Sequence, residues 1–242
     1  MNIFEVEITY KCNWNCEYCC VQTHTKRALS NEEIINNLKK SSNDFIDLNG
    51  GALTISGGEP SLADPKLIRE IYNLSKEYNF QLSLNTNGRI FYPKVYPIFK
   101  DIIKDIEINW HVSEKCDWSD KINWILSIIE KDSLNVQPML VVTNKNIINL
   151  DTFMTNWSKD IKILIVPASN PSTGKIDLDK EYRKSIYNKY RKYLTSESKL
   201  RLITGDDFFK DKETKITYIE NYIKDHHDQN CRKKDFFIKP LK

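Results

Sequence analysis

Extremes are what this 242-residue sequence lacks. It has no run of the roughly 18 consecutive apolar residues that a membrane-spanning helix needs. Charge is nearly balanced, with 36 Lys and Arg against 33 Asp and Glu for a net charge of +3, so no electrostatic footprint points to nucleic acid or a membrane surface. Glycine is scarce, at 7 residues, beside abundant Lys, Asn and Ile; this is a compositional bias and carries no functional reading. The first residues show no basic flank or cleavage site, since Ile3 to Thr9 is already strand-like. The expectation is a cytoplasmic protein without a leader. A Pro/Gly/Ser-rich linker and an internal sequence repeat are also missing.

What is present suits a globular chain. Apolar residues make up 40% and aromatics 11%, enough to build a real core. Short β-type runs centred every 25–30 residues or so fall at about 3–9, 52–56, 80–85, 106–112, 135–142 and 161–166. Several, such as Val136 to Val142 and Ile161 to Val166, are near-continuous apolar runs of the kind that buried parallel strands show. Between them lie amphipathic stretches with start signals. Ser30 and Glu33 form a capping box, and Asp64 before Pro65 is an N-cap with proline at the first helical position. Ser119 or Asp120 opens another.

Repeated βα units predict parallel strands joined by right-handed crossovers. Six of them predict an α/β fold, a partial (β/α)6 TIM-like barrel over residues 1–175. Residues 176–242 are expected to form a helical C-terminal extension packed on that core. It would hold a long basic helix near 178–194, a short strand at Leu200 to Ile203 and a last helix near 213–225.

Six cysteines are present, and four of them crowd into positions 12–20. In a cytosolic chain such crowding favours metal binding over disulfides. Cys12, Cys16 and Cys19 follow the first strand with the spacing CxxxCxxC. Three thiolates on one loop can hold three irons of a cubane cluster and leave the fourth iron open. With Cys20 or His24 as a fourth ligand, the same loop could instead hold zinc. The loop alone leaves both readings open.

The second strand ends in Gly57-Gly58-Glu59-Pro60. Two glycines let the backbone approach a ligand closely, and Glu59 can accept from an ammonium group. Alone, such a tetrapeptide is a turn. One βα unit after the cysteine loop, at the same end of the sheet, it takes on more meaning.

The two motifs together resemble the radical S-adenosylmethionine (SAM) superfamily, whose signature is CxxxCxΦC with an aromatic residue where Tyr18 stands. The resemblance implies a [4Fe–4S] cluster on Cys12, Cys16 and Cys19, with SAM chelating the open iron. It implies that the Tyr18 backbone lies near the adenine and that Gly57, Gly58, Glu59 and Pro60 meet the methionine amino group. Asn85 to Asn87, in the Asn85-Thr86-Asn87-Gly88 end of the third strand, are expected to line the site, with Asn85 as the cofactor contact. Ser113 is expected to bond the cofactor's ribose or carboxylate, with His111 on the same face as a competitor. Val166 is expected to pack on the adenine. The reduced cluster would cleave SAM to methionine and a 5′-deoxyadenosyl radical that abstracts hydrogen from a substrate, in an oxygen-sensitive enzyme fed by flavodoxin or ferredoxin.

Cys116 and Cys231 are too few for a second cluster, and Cys20 reads as a bystander. His226 and His227 point in different directions if helical and make a poor metal site. The compact length and the form of the glycine motif resemble the glycyl-radical-enzyme activases and the deazapurine-forming synthases. The substrate is therefore a peptide or protein, or a nucleotide-like small molecule. The competing reading is a zinc-stabilised module that binds nucleic acid or another partner.

Overall fold

The structure, a computed structural model, describes residues 2–16, 19, 29–43, 51–112, 120–144, 149–157, 161–168, 176, 178–195, 198, 202 and 217–218. In chain order the elements are β1 (Asn2–Thr9), α1 (Asn31–Asn43), β2 (Gly51–Gly57), α2 (Pro65–Glu77), β3 (Phe80–Thr86) and α3 (Tyr96–Ile103). They continue with β4 (Glu107–Val112), α4 (Asp120–Asp132), β5 (Val136–Val142), α5 (Leu150–Asn156), β6 (Leu164–Pro167), α6 (Lys180–Tyr190) and β7 (Thr217–Tyr218).

The helices start where the sequence signals them. Ser30 donates its N–H to Glu33 Oε2 at 2.7 Å while the Glu33 N–H donates to Ser30 Oγ at 3.2 Å, closing the capping box of α1. Asp64 accepts the Lys66 N–H at 3.0 Å and caps α2 ahead of Pro65. Asn31 donates to the other Asp64 oxygen at 3.0 Å and so joins the starts of α1 and α2.

All strands are parallel, in the order β6-β5-β4-β3-β2-β1-β7. Six sequential parallel strands joined by right-handed crossovers place every helix on one side, which is the architecture of a partial (β/α) barrel. On the helix side Val6, Ile55, Leu84, Ile108 and Trp110 are fully or almost fully buried. Burial alternates strictly along β4, where Ile108, Trp110 and Val112 are buried and Glu107, Asn109 and His111 are only partly so.

The opposite face therefore carries a row of polar side chains in register, Glu5, Thr54, Ser83 and Glu107, and a second row of Asn85, Asn109 and Gln137. This differs from the expectation of strands apolar on both faces. Even β5 alternates, with Pro138, Leu140 and Val142 buried between half-buried neighbours.

The basic helix is shorter than expected. Asp179 caps it by accepting the N–H groups of Glu181 and Tyr182, and it ends at Tyr190. Nor is it a wholly solvated face, because Arg183 is buried at 2% exposure while Lys189 pairs with Asp151 at 2.6 Å. Thr217 and Tyr218, inside the stretch expected as the last helix, instead pair with Phe4 and Glu5 as a short edge strand. Of the expected strand at Leu200 to Ile203, only the buried Leu202 lies among the described residues. No helix among the described residues is long and apolar enough to cross a membrane.

Candidate active site at the carboxyl ends of the strands

Parallel strands bring all their carboxyl ends to one rim. The cysteine loop leaves β1 there, and the two turns that follow β2 and β3 hold it. The register pairs Thr9 with Gly57. Beyond that pair the Gly58 N–H donates to the Thr9 carbonyl at 2.6 Å and the Glu59 N–H to the Lys11 carbonyl at 2.8 Å.

This contact explains the two glycines. Gly57 has φ +119°, and a Cβ there would lie 2.3 Å from the Thr9 carbonyl oxygen. A Cβ on Gly58 would lie 2.3 Å from the Lys11 carbonyl oxygen. Their close approach is to the backbone that carries the cysteines.

Glu59 is fully buried and acts as a hub. Its carboxylate accepts the Ser61 N–H at 3.0 Å, the Thr86 hydroxyl at 3.0 Å from both oxygens, and the Asn87 N–H at 2.8 Å. Pro60, also buried, opens the 3-10 turn Pro60–Leu62. Arg89 donates to the Ser61 carbonyl at 2.7 Å, a further bond between the two turns.

Cys12 is exposed, and Cys16 and Cys19 are half-buried. The Cys19 N–H donates to the Cys16 carbonyl at 3.1 Å, forming a tight turn between the last two. Cys12 Sγ accepts the Trp14 N–H at 3.4 Å and is reached by Asn87 Nδ2 at 3.8 Å. Among the described residues no group of three or more His, Cys, Asp or Glu side chains is placed to hold a single metal ion. Three cysteines on one loop, with N–H donors already aimed at one sulfur, are the donor set that an iron–sulfur cluster uses.

On the inner face Asn109 donates to Asn85 Oδ1 at 3.0 Å. His111 pairs in register with Met139 and Met139 with Leu164, and Val141 pairs with Val166, so the inner wall turns apolar toward β6. Burial pushes the His111 imidazole down to about 4, so it is neutral at physiological pH. Burial likewise pushes the Glu5 carboxyl up.

The structure thus brings together Cys12, Cys16, Cys19, Gly57, Gly58, Glu59 and Pro60 at one rim. It places Asn85 and Val166 on the inner face. Tyr18, Ser113, Cys20, Cys116, His226, His227 and Cys231 lie outside the described residues. Sequence reasoning placed Asn85 to Asn87 at the site but missed that Thr86, Asn87 and Arg89 lock the rim. The Thr-Asn-Gly run after β3 was a visible signal for the first two. Arg89 had none. A cavity of about 370 Å³, lined by Phe80, Gln81, Lys104 and Glu107 among others, lies at the amino ends of β3 and β4, away from this site.

Residues 6–112, which span the cysteine loop and both locking turns, match the family model of the radical SAM superfamily. These residues form a radical SAM domain. The chain carrying it is an enzyme of that class.

A protein named as a candidate glycyl-radical enzyme activating enzyme of Methanocaldococcus jannaschii is 26% identical over 228 residues, covering 88% of this chain and 77% of that protein. A second protein of the same description and organism is 35% identical over 111 residues, covering 44% of this chain and 41% of its own length. Among solved structures, anSMEcpe with bound AdoMet superposes with a TM-score of 0.60 at 17% identity, covering 78% of this chain and 59% of that one. That likeness concerns the fold. The radical SAM family implies SAM and a [4Fe–4S] cluster, and the three cysteines of the rim are the donors such a cluster takes.

Proposed function

We propose that this radical SAM enzyme holds a [4Fe–4S] cluster on Cys12, Cys16 and Cys19, binds SAM across the rim and acts on a peptide or protein. The observation that carries the reading is the clamp on the cysteine loop, made by the Gly58 and Glu59 N–H groups on one side and Asn87 on the other. When bound, the reduced cluster and SAM supply a 5′-deoxyadenosyl radical for hydrogen abstraction.

The chain's own residues supply order around that chemistry. The backbone of Gly57 to Pro60 holds the methionine end, with Glu59 supporting it from beneath. Asn85, Tyr18, Ser113 and Val166 line the rest of the cofactor site. The polar rows on β1 to β4 orient the substrate, and neutral His111 avoids a buried charge beside it. A protein substrate is favoured because the relative that spans most of the chain is named for activating another enzyme. A cytoplasmic electron donor such as flavodoxin or ferredoxin completes the cycle.

Anaerobic purification tests the reading. It predicts a brown protein with about four irons and four sulfides per chain. It also predicts 5′-deoxyadenosine formation with dithionite, abolished in Cys16→Ala. A colourless protein with stoichiometric zinc overturns it and favours the zinc-stabilised module. Turnover stimulated by a nucleotide but by no polypeptide overturns the substrate class alone.

A further inference from the structure

We propose that Asn87 is a positioning residue that donates an N–H···S hydrogen bond to Cys12 and so raises the reduction potential of the cluster; this rests on the function proposed above. Three bonds fix how Asn87 faces. Its backbone N–H is held by Glu59 Oε2 at 2.8 Å. Its Oδ1 accepts the Arg89 N–H at 3.2 Å. With the oxygen assigned by that donor, the amide nitrogen must turn the other way, toward the cysteine loop. There its two hydrogens have two acceptors, Asn13 Oδ1 at 2.9 Å and Cys12 Sγ at 3.8 Å.

Cys12 therefore sits under two donors of different origin. The Trp14 N–H, at 3.4 Å, comes with the folding of the loop itself. Asn87 lies 75 positions away and reaches the sulfur only because the rim is assembled. Reduction adds negative charge to a cluster and its thiolates, and an N–H dipole aimed at a sulfur stabilises that charge. Losing the donor makes the cluster harder to reduce. The bond to Asn13 also holds the loop in place beside the sulfur, so orientation and electrostatics act together.

The test is a redox titration of the anaerobically reconstituted full chain, followed by electron paramagnetic resonance without SAM. Asn87→Asp keeps the acceptor for Arg89 and replaces the donor with a carboxylate. Asn87→Leu removes both. At a fixed potential the ratio of reduced to oxidised cluster is expected to fall about tenfold in Asn87→Asp, a shift of about 59 mV for one electron. It falls less, in the same direction, in Asn87→Leu.

Wild-type ratios in both variants at full iron content overturn the proposal. Loss of iron in both with unchanged far-UV circular dichroism supports a local role at the cluster, whereas loss with an altered spectrum overturns it in favour of a purely structural residue. A wild-type chain that binds no iron refutes the function, and this inference falls with it. An iron-loaded wild type with unshifted variants refutes only the role of Asn87.

Discussion

The buried carboxylate of Glu59 accepts the backbone N–H of Asn87 at 2.8 Å and so joins the turn after β2 to the turn after β3. Neither turn has another buried acidic side chain, and both meet the cysteine loop. The rim is one hydrogen-bonded unit with an acceptor at its centre.

Removing that acceptor leaves the Ser61, Thr86 and Asn87 donors without their partner. Glu59→Ala is expected to cost about 2–3 kcal/mol, because buried donors left unsatisfied carry their full desolvation penalty. For a chain of this size that lowers the melting temperature by roughly 4–12 °C. Thermal denaturation followed by circular dichroism checks it. A variant as stable as the wild type would mean that the hub is not used.

Gly58→Ala probes the clamp without a left-handed backbone in the way, since only Gly57 of the pair has such a φ. The added Cβ meets the Lys11 carbonyl, so the cysteine loop must shift. Overpacking of this kind costs about 1–3 kcal/mol. The expected signature is a lower melting temperature together with weaker iron retention against a chelator. Unchanged iron retention would show that the loop does not need this contact.

Two inner-face groups set opposite pH trends. The His111 imidazole is held near 4 in the fold, below its ordinary 6.5, so the unfolded chain takes up the proton first as pH falls. Its contribution is complete above about pH 6.5 and is lost as pH drops toward 4, by up to ~3 kcal/mol. Glu5 is raised instead, so the fold binds its proton more tightly and loses stability as pH climbs through the raised value. Urea titrations should show His111→Gln flattening the acid limb. They should show Glu5→Gln stabilising the chain at neutral pH, with no gain well below pH 4.5. A Glu5→Gln variant destabilised at neutral pH would contradict the sign.

Much of this was legible in the chain. The six core strands, the Asp64 cap, the Ser30–Glu33 box and the meeting of the cysteine loop with Gly57–Gly58 all follow from local periodicity, capping chemistry and a shared rim. The role of Glu59 was not. A side chain at a turn has no period to give its direction, so an exposed ligand-binding carboxylate and a buried hub look identical in sequence. The glycines were read as making room for a ligand, because only the register of Thr9 against Gly57, across a bulge in β1, shows that the neighbour is the protein's own backbone. Alternation along β5 was hidden because its half-buried positions are also apolar, Val136, Met139 and Val141 among them.

The strand order has a consequence for how the enzyme is made. Cys12, Glu59, Asn87 and Arg89 all lie within the first 89 residues, and β1, β2 and β3 pair with one another before any later strand is required. A chain emerging from the ribosome can therefore complete the corner that grips the cysteine loop while more than half of its length is still to be synthesised, since domains build from the amino end as they appear. Assembly of the corner around the cysteine loop is in that sense decoupled from completion of the sheet by β4, β5 and β6.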